Sequence, residues 1–157
     1  MDDFLKDKLT NQLTWLLRLL ENIDKAFLKK QPILQKWSIH EHLAHLGRYQ
    51  EIFLERLAVI LNGDVPLLER YKAENDPKFY DWCTWTSEEI MEKAILSRKK
   101  IIDKILDLTA EQIQEIGIHP KLGRMNVEEW TTFFLLHEAH HIYAIFGLKH
   151  RFYITEN

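Results

Sequence analysis

Cysteine is almost absent from this 157-residue chain, and glycine and proline are scarce, at one, five and four residues. The lone Cys83 excludes an internal disulfide. With no signal-like apolar stretch over residues 1–6, it leads to the expectation of a cytoplasmic protein. The few Gly and Pro residues fall mostly between long periodic stretches, so the chain reads as a few long helices and little else. No apolar run approaches the roughly 18 residues that cross a bilayer, so no membrane partner is expected. Positive charge is not in surplus either: the net charge is -3. The short basic runs Lys29-Lys30 and Arg98-Lys99-Lys100 each sit in a helical stretch with acidic neighbours, which gives nucleic-acid binding no support. Repeats, low-complexity tracts and linkers are missing as well. One domain over residues 1–157 is expected, with 46% hydrophobic residues to build its core.

What is present is heptad-like periodicity. A first helix is expected from Phe4 to Lys29, burying Leu5, Leu9, Leu13, Leu16, Leu20, Ile23 and Phe27, with Gln31-Pro32 ending it. A second starts after Ser38, whose capping box with Glu41 opens a stripe through Leu43, Leu46, Phe53, Leu57 and Ile60 to Asn62-Gly63. From Asp64 to Trp85 the period breaks. Pro66, Asn75-Asp76-Pro77 and five aromatic residues make a connection too apolar for a disordered linker, expected to fold as a lid across one end of a bundle. Thr86 to Glu89 opens a third helix running through Ile90, Ala94, Ile101 and Ile105 to Leu108. A helical turn from Thr109 to Ile116 and a tight loop over residues 118–125 lead to a last helix, Val127 to Gly147, capped by Asn126 with Glu129. The expected fold is all-α: a four-helix bundle of antiparallel helices without a sheet, with one long crossover between helices two and three.

The last helix carries the chemistry. Val127, Trp130, Phe134, His137, His141, Ala144 and Leu148 recur at steps of three and four, so two imidazoles occupy a buried seam. Residues four apart lie roughly 40° apart around the axis, separated by about 6 Å of rise. Both can therefore reach one metal ion. A further ligand should come from a facing helix, and helix two offers His40, His42 and His45. His42 lies roughly 40° from the stripe centre at Leu46 and His45 roughly 100° from it. A site at the bundle centre favours His42, and one opening at the bundle side favours His45.

The segments from Trp37-Ser38 to His45, His119-Pro120-Lys121-Leu122-Gly123-Arg124-Met125 and His137-Glu138-Ala139-His140-His141 together resemble the DinB-like family over nearly the whole chain. That family includes YfiT-type metal-dependent hydrolases and bacillithiol-transferase relatives. The most specific parts are the Trp-Ser opening with a histidine eight residues after the Trp, and the histidine pair four apart. The resemblance implies a four-helix bundle, a divalent metal (zinc or nickel) on His45, His137 and His141, and a homodimer. Trp15 and Leu19, apolar but off the first helix's main stripe, suit a dimer face. The sequence departs from many relatives at Tyr143-Ala144, where they carry a Gln-Ile pair. His40, His42, His119 and His150 are assigned to the surface or to places behind the ligands, with His140 an alternative ligand. Trp82, Trp85 and Tyr143 are candidates to line or plug the pocket.

His137-Glu138-Ala139-His140-His141 also fits the H-E-x-x-H pattern of zinc proteases, with Glu138 as general base. No third-ligand motif follows His141, and no strand is recognisable to hold an extended peptide, so the protease reading is rejected. Glu138 and, after it, Glu41 are retained as the candidate catalytic carboxylates. A metal on three neutral imidazoles keeps an open position, the catalytic rather than the structural arrangement. The favoured expectation is transfer of a low-molecular-weight thiol, such as bacillithiol, to a small electrophile. The alternatives are metal-assisted hydrolysis and a non-enzymatic, stress-linked metal-binding dimer.

Overall fold

A computed structural model describes residues 1–31 and 33–155. Pro32, expected to end the first helix, and Glu156 lie outside the described residues. Four long helices form the bundle: α1 (Asp3–Leu20), α3 (Ile39–Ile60), α5 (Ser87–Leu106) and α7 (Val127–Thr155). Three short ones fill the connections: α2 (Lys25–Leu28), α4 (Pro77–Thr84) and α6 (Ala110–Ile113), with a 3-10 turn at Ala73–Asn75. Local chemistry sets most helix starts. Ser38 and Glu41 exchange hydrogen bonds across the first turn of α3, and Thr86 and Glu89 do the same for α5. Asn126 and Glu129 repeat the exchange at the start of α7.

Several expectations need correction. The first helix is not continuous to Lys29. It stops at Leu20, where Asn22 takes the left-handed conformation (φ 63°) and Asp24 caps a new short helix. The last helix runs past Gly147 to Thr155. The tight loop over residues 118–125 is instead an antiparallel hairpin, β1 (Ile116–His119) with β2 (Gly123–Asn126), so the molecule does contain a small sheet. His119 fixes its turn: buried Nδ1 accepts from the amides of Lys121 and Leu122. Gly117 is required there, because a Cβ would meet Ile60 and the Trp130 indole at 2.9 Å.

The helices are not all antiparallel. His40 meets Ser87 and Gln50 meets Arg98, so α3 and α5 run in the same direction. Asp2 meets Glu128 and Lys149 meets the end of α1, so α1 and α7 also run parallel. The bundle is thus up-down-down-up, and its long crossover must return the chain to the level where α3 began. It does so along the flank of α3 rather than across one end. Leu68 pairs with Ile118 near the end of α3, and Arg56 donates to the Glu69 carbonyl. Arg48 then binds Asp76, Trp82 lies on Gly47, and His40 bonds the Cys83 carbonyl. Gly47 permits that descent, since a Cβ there would sit 2.1 Å from Trp82 Cζ3.

Apolar side chains from α1, α3, α5 and α7 fill the interior, with Leu9, Phe53, Ile101, Trp130 and Phe134 among the most buried. One polar layer crosses it. Buried Glu138 of α7 pairs with Arg98 of α5 and accepts from Gln50 of α3 and Gln12 of α1. Arg98 also donates to Gln50 Oε1 and to the Leu9 carbonyl.

Candidate metal centre

Because α3 and α7 are antiparallel, His45 comes to face His137 while His42, one turn earlier, faces His141. His45 Nε2 lies 3.1 Å from His137 Nε2, and His141 Nε2 lies 3.3 Å from the same atom. One ring nitrogen from each of His45, His137 and His141 falls within 4.8 Å of the others. The choice between His42 and His45 left open by helical angle is therefore resolved by placement: His45 joins the cluster. His42 stands behind it, with Nδ1 2.9 Å from His141 Nδ1.

Protons alone do not satisfy this cluster. A neutral imidazole has one N–H and one lone pair. If the protons sit on Nδ1, three Nε2 lone pairs face one another. If they move to Nε2, the lone pairs left on His45 Nδ1 and His137 Nδ1 are buried without a partner. A cation among the Nε2 atoms would take up their converging lone pairs, and two nitrogens on a tetrahedral zinc stand about 3.3 Å apart. Nδ1 of His45 and of His137 has no partner among the described residues in either protonation state. The donor set thus fits a divalent ion.

Burial also keeps the ligand atoms ready. It holds His45 down to about 3 and His137 to about 4, helped by nearby imidazoles and, at His137, by Arg56. His42 is held down to about 4 by burial against a small opposing pull from Glu41. His141 is pushed down furthest, by burial and then by His45, His137, His42 and His140. All four are neutral near pH 7, the form a metal requires.

Aromatic rings enclose the cluster. Trp37 packs against His42, His45 and His141, Tyr49 lies 3.9 Å from His137 between ring centroids, and Tyr71 stacks on His45. Phe79 of α4 closes over Trp37 and His45. Sequence reasoning did not find Tyr49, Tyr71 or Phe79 as neighbours of the site. It chose Trp82 and Trp85 of the crossover and Tyr143 of α7, yet Trp82 is buried on α3 beside Trp85, and Tyr143, 75% exposed, lines a separate cavity with Trp37 and His42. None of these three plugs the cluster. On its open side His137 lines a cavity of about 350 Å³ with Tyr49, Arg56, Tyr71 and His119, within the size range of small-molecule sites.

Glu138 is placed away from this cavity. It is 1% exposed, and Arg98, Gln50 and Gln12 occupy both of its oxygens in the polar layer of the bundle. His40, expected at the surface or behind the ligands, is buried and fastens the crossover through Ser87 and Cys83. His119 belongs to the hairpin turn and contacts Trp130 and Phe133. His140 and His150 are exposed.

A four-helix bundle with a buried three-histidine cluster opening on a cavity defines the class of this protein: a bundle built around a potential metal centre. The sequence profile of the DinB superfamily matches residues 9–145, and the chain belongs to that superfamily. Among solved structures it is similar to YfiT from Bacillus subtilis, described as a probable metal-dependent hydrolase with an unusual four-helix bundle topology. That match has 18% identity and a TM-score of 0.82, covering 96% of this chain and 86% of the other. It is also similar to TT2238, a four-helix bundle protein, at 19% identity, with coverages of 91% and 95% and a TM-score of 0.65. An uncharacterized protein from Clostridium difficile 630 matches at 12% identity, with coverages of 94% and 92% and a TM-score of 0.66. At these identities the likeness concerns the fold. No curated protein matches the sequence. Among the described residues no helix is long and apolar enough to cross a membrane.

Proposed function

We propose that His45, His137 and His141 hold one zinc or nickel ion, and that the protein transfers a low-molecular-weight thiol, of which bacillithiol is one, to a small electrophile. The observation that carries the metal reading is the convergence of one ring nitrogen from each of three neutral imidazoles on a single point. A divalent ion on such a set keeps a position open and makes a bound thiol or water more nucleophilic at neutral pH.

The preference for a thiol rests on the cavity lining, which holds no carboxylate, while Glu138 is engaged elsewhere. A cation lowers the pKa of bound water only to about 7, so hydrolysis still gains from a base, whereas a thiol, at about 8.5 when free, is ionised outright on the metal. Metal-dependent hydrolysis, the description attached to YfiT, is the second reading. The chain's own residues contribute enclosure and orientation: Trp37, Phe79 and Tyr71 cover the imidazoles, and His42 sets the ring of His141.

The test is metal analysis of purified protein, followed by assay of zinc- and nickel-loaded samples. Bacillithiol, glutathione and cysteine would be offered with a fluorogenic electrophile, alongside an ester and amide panel. One metal per chain and thiol conjugation lost in His137→Ala support the reading. Ester or amide cleavage without conjugation selects the hydrolase. A fully loaded protein inactive in both assays selects the non-enzymatic metal-binding dimer. The dimer is part of the proposal: Trp15 is 72% exposed and shares an apolar groove between α1 and α7 with Tyr143 and Phe146, whereas Leu19 is half-buried. Sedimentation of the wild type and Trp15→Glu tests it, with a monomeric wild type rejecting it.

A further inference from the structure

The cavity beside His137 differs from the rest of the protein in charge. The chain as a whole carries more acidic than basic residues, 24 against 21. Yet the cavity is lined by Arg56, Arg70 and Lys121 and by no carboxylate. Other cations of this protein are neutralised where they are buried. Arg48 holds Glu51, Glu55 and Asp76, and Arg98 holds Glu138.

Arg56 is the exception. It is 9% exposed, and its hydrogen bonds go to the Tyr49 hydroxyl and the Glu69 carbonyl. It has no carboxylate at ion-pair distance among the described residues. A buried guanidinium has five N–H donors, and two neutral acceptors leave both its charge and part of its fork uncompensated. Its Cζ lies 5.7 and 5.5 Å from the ring centroids of Tyr49 and Trp130, and its bonds to the Tyr49 hydroxyl and the Glu69 carbonyl set the direction of the fork. Tyr49 adds a donor. Its hydroxyl accepts from Arg56 and keeps its own proton, because burial raises its pKa.

We propose that Arg56, with Arg70 and Lys121 at the rim, binds an anionic group, a carboxylate or phosphate, on the small-molecule substrate, and so aims the rest of that molecule at His137. This deepens the proposed function and relies on it only for the reacting end. The fork of Arg56 suits a planar carboxylate or two phosphate oxygens, and the two exposed rim cations suit capture and steering. No carboxylate in the lining competes for the anion.

Calorimetric titration at low ionic strength tests this with three probes: succinate, inorganic phosphate, and neutral succinamide as control. Succinate or phosphate should bind and succinamide should not, and whichever anion binds more tightly identifies the group. The Arg70→Gln, Lys121→Gln double variant changes only exposed side chains and should bind the anion about ten-fold more weakly at unchanged melting temperature. Arg56→Gln should abolish binding. Arg56→Lys, which keeps the charge without the fork, should restore it in part. His141→Ala removes a proposed metal ligand but none of the cations, so it should still bind the anion. Persistence of binding in His141→Ala separates this proposal from the metal reading, since either can fail alone. Equal binding of succinamide, indifference to the double variant, or loss of binding in His141→Ala would overturn it.

Discussion

Replacing His42 by alanine removes the support of a proposed ligand without removing the ligand. For His141 Nε2 to present a lone pair toward His137, the proton of His141 must sit on Nδ1, from which it donates to His42 Nδ1 at 2.9 Å. In His42→Ala that N–H loses its acceptor in a position where His141 is only 8% exposed. A buried polar group left unpaired costs about 1–3 kcal/mol. The cost falls on the loaded state, because the empty site can move the proton to Nε2. At about 1.4 kcal/mol per decade this is roughly 5- to 150-fold in affinity, in line with the roughly 10- to 100-fold typical for partners behind metal-bound imidazoles. The assay is competition for zinc against a chromogenic chelator at neutral pH. Occupancy at saturating zinc stays nearly complete, so only the affinity reveals the effect. His42→Asn, whose amide oxygen can accept the bond, should recover part of the loss, His140→Ala should behave as wild type, and His141→Ala should not retain the metal. A folded His42→Ala protein binding zinc as tightly as wild type would refute the tautomer argument.

Gly47→Ala forces Trp82 off α3, since the new Cβ would stand 2.1 Å from Cζ3. Overpacking of this kind costs about 1–3 kcal/mol, seen as a thermal melt lowered by roughly 2–4 °C per kcal/mol, and an unchanged melt would show that α4 is not held there. The metal-free protein should lose stability in acid: unfolded histidines titrate near 6.5, while His42, His45 and His137 are held at about 3 to 4. Between those values the unfolded chain binds more protons, so each such histidine lowers stability by about 1.4 kcal/mol per unit fall in pH. Urea midpoints constant from pH 7 to pH 5 would contradict this. Glu138→Ala leaves Arg98 buried and uncompensated, a loss of about 3–5 kcal/mol, and a variant melting within a degree of wild type would show the pair to be dispensable.

The capping boxes at Ser38, Thr86 and Asn126 and the apolar stripes were legible because each depends on residues within one or two turns. So was the spacing of His137 and His141. The break after Leu20 had a local signal too, an Asn followed two residues on by an Asp cap, which an uninterrupted stripe through Ile23 and Phe27 concealed. Helix direction was not legible. A stripe shows which face is buried but not whether its neighbour runs up or down, so the parallel pairs α1–α7 and α3–α5 emerged only from contacts distant in sequence. Arg98 was read as part of a solvated basic run, yet it is 3% exposed, because its partner lies 40 residues away on α7. The choice of His45 over His42 came from the family resemblance, since helical angle alone left it open and its physical reason lies on the facing helix.

The polar layer of Gln12, Gln50, Arg98 and Glu138 takes one side chain from each long helix of the bundle. Hydrocarbon side chains tolerate sliding by a helical turn, about 5.4 Å, because one leucine replaces another at small cost. Three directional bonds converging on one carboxylate, with a fourth from Arg98 to Gln50, do not. The layer therefore works as a vernier mark that admits a single axial setting of the four rods. Glu138 lies next to His137 in sequence and Gln50 lies five residues beyond His45. The setting that satisfies the carboxylate is thus the same one that brings the imidazole nitrogens of α3 and α7 within 3.1 Å. The carboxylate that took no place among the imidazoles governs their alignment from the neighbouring position on the same helix.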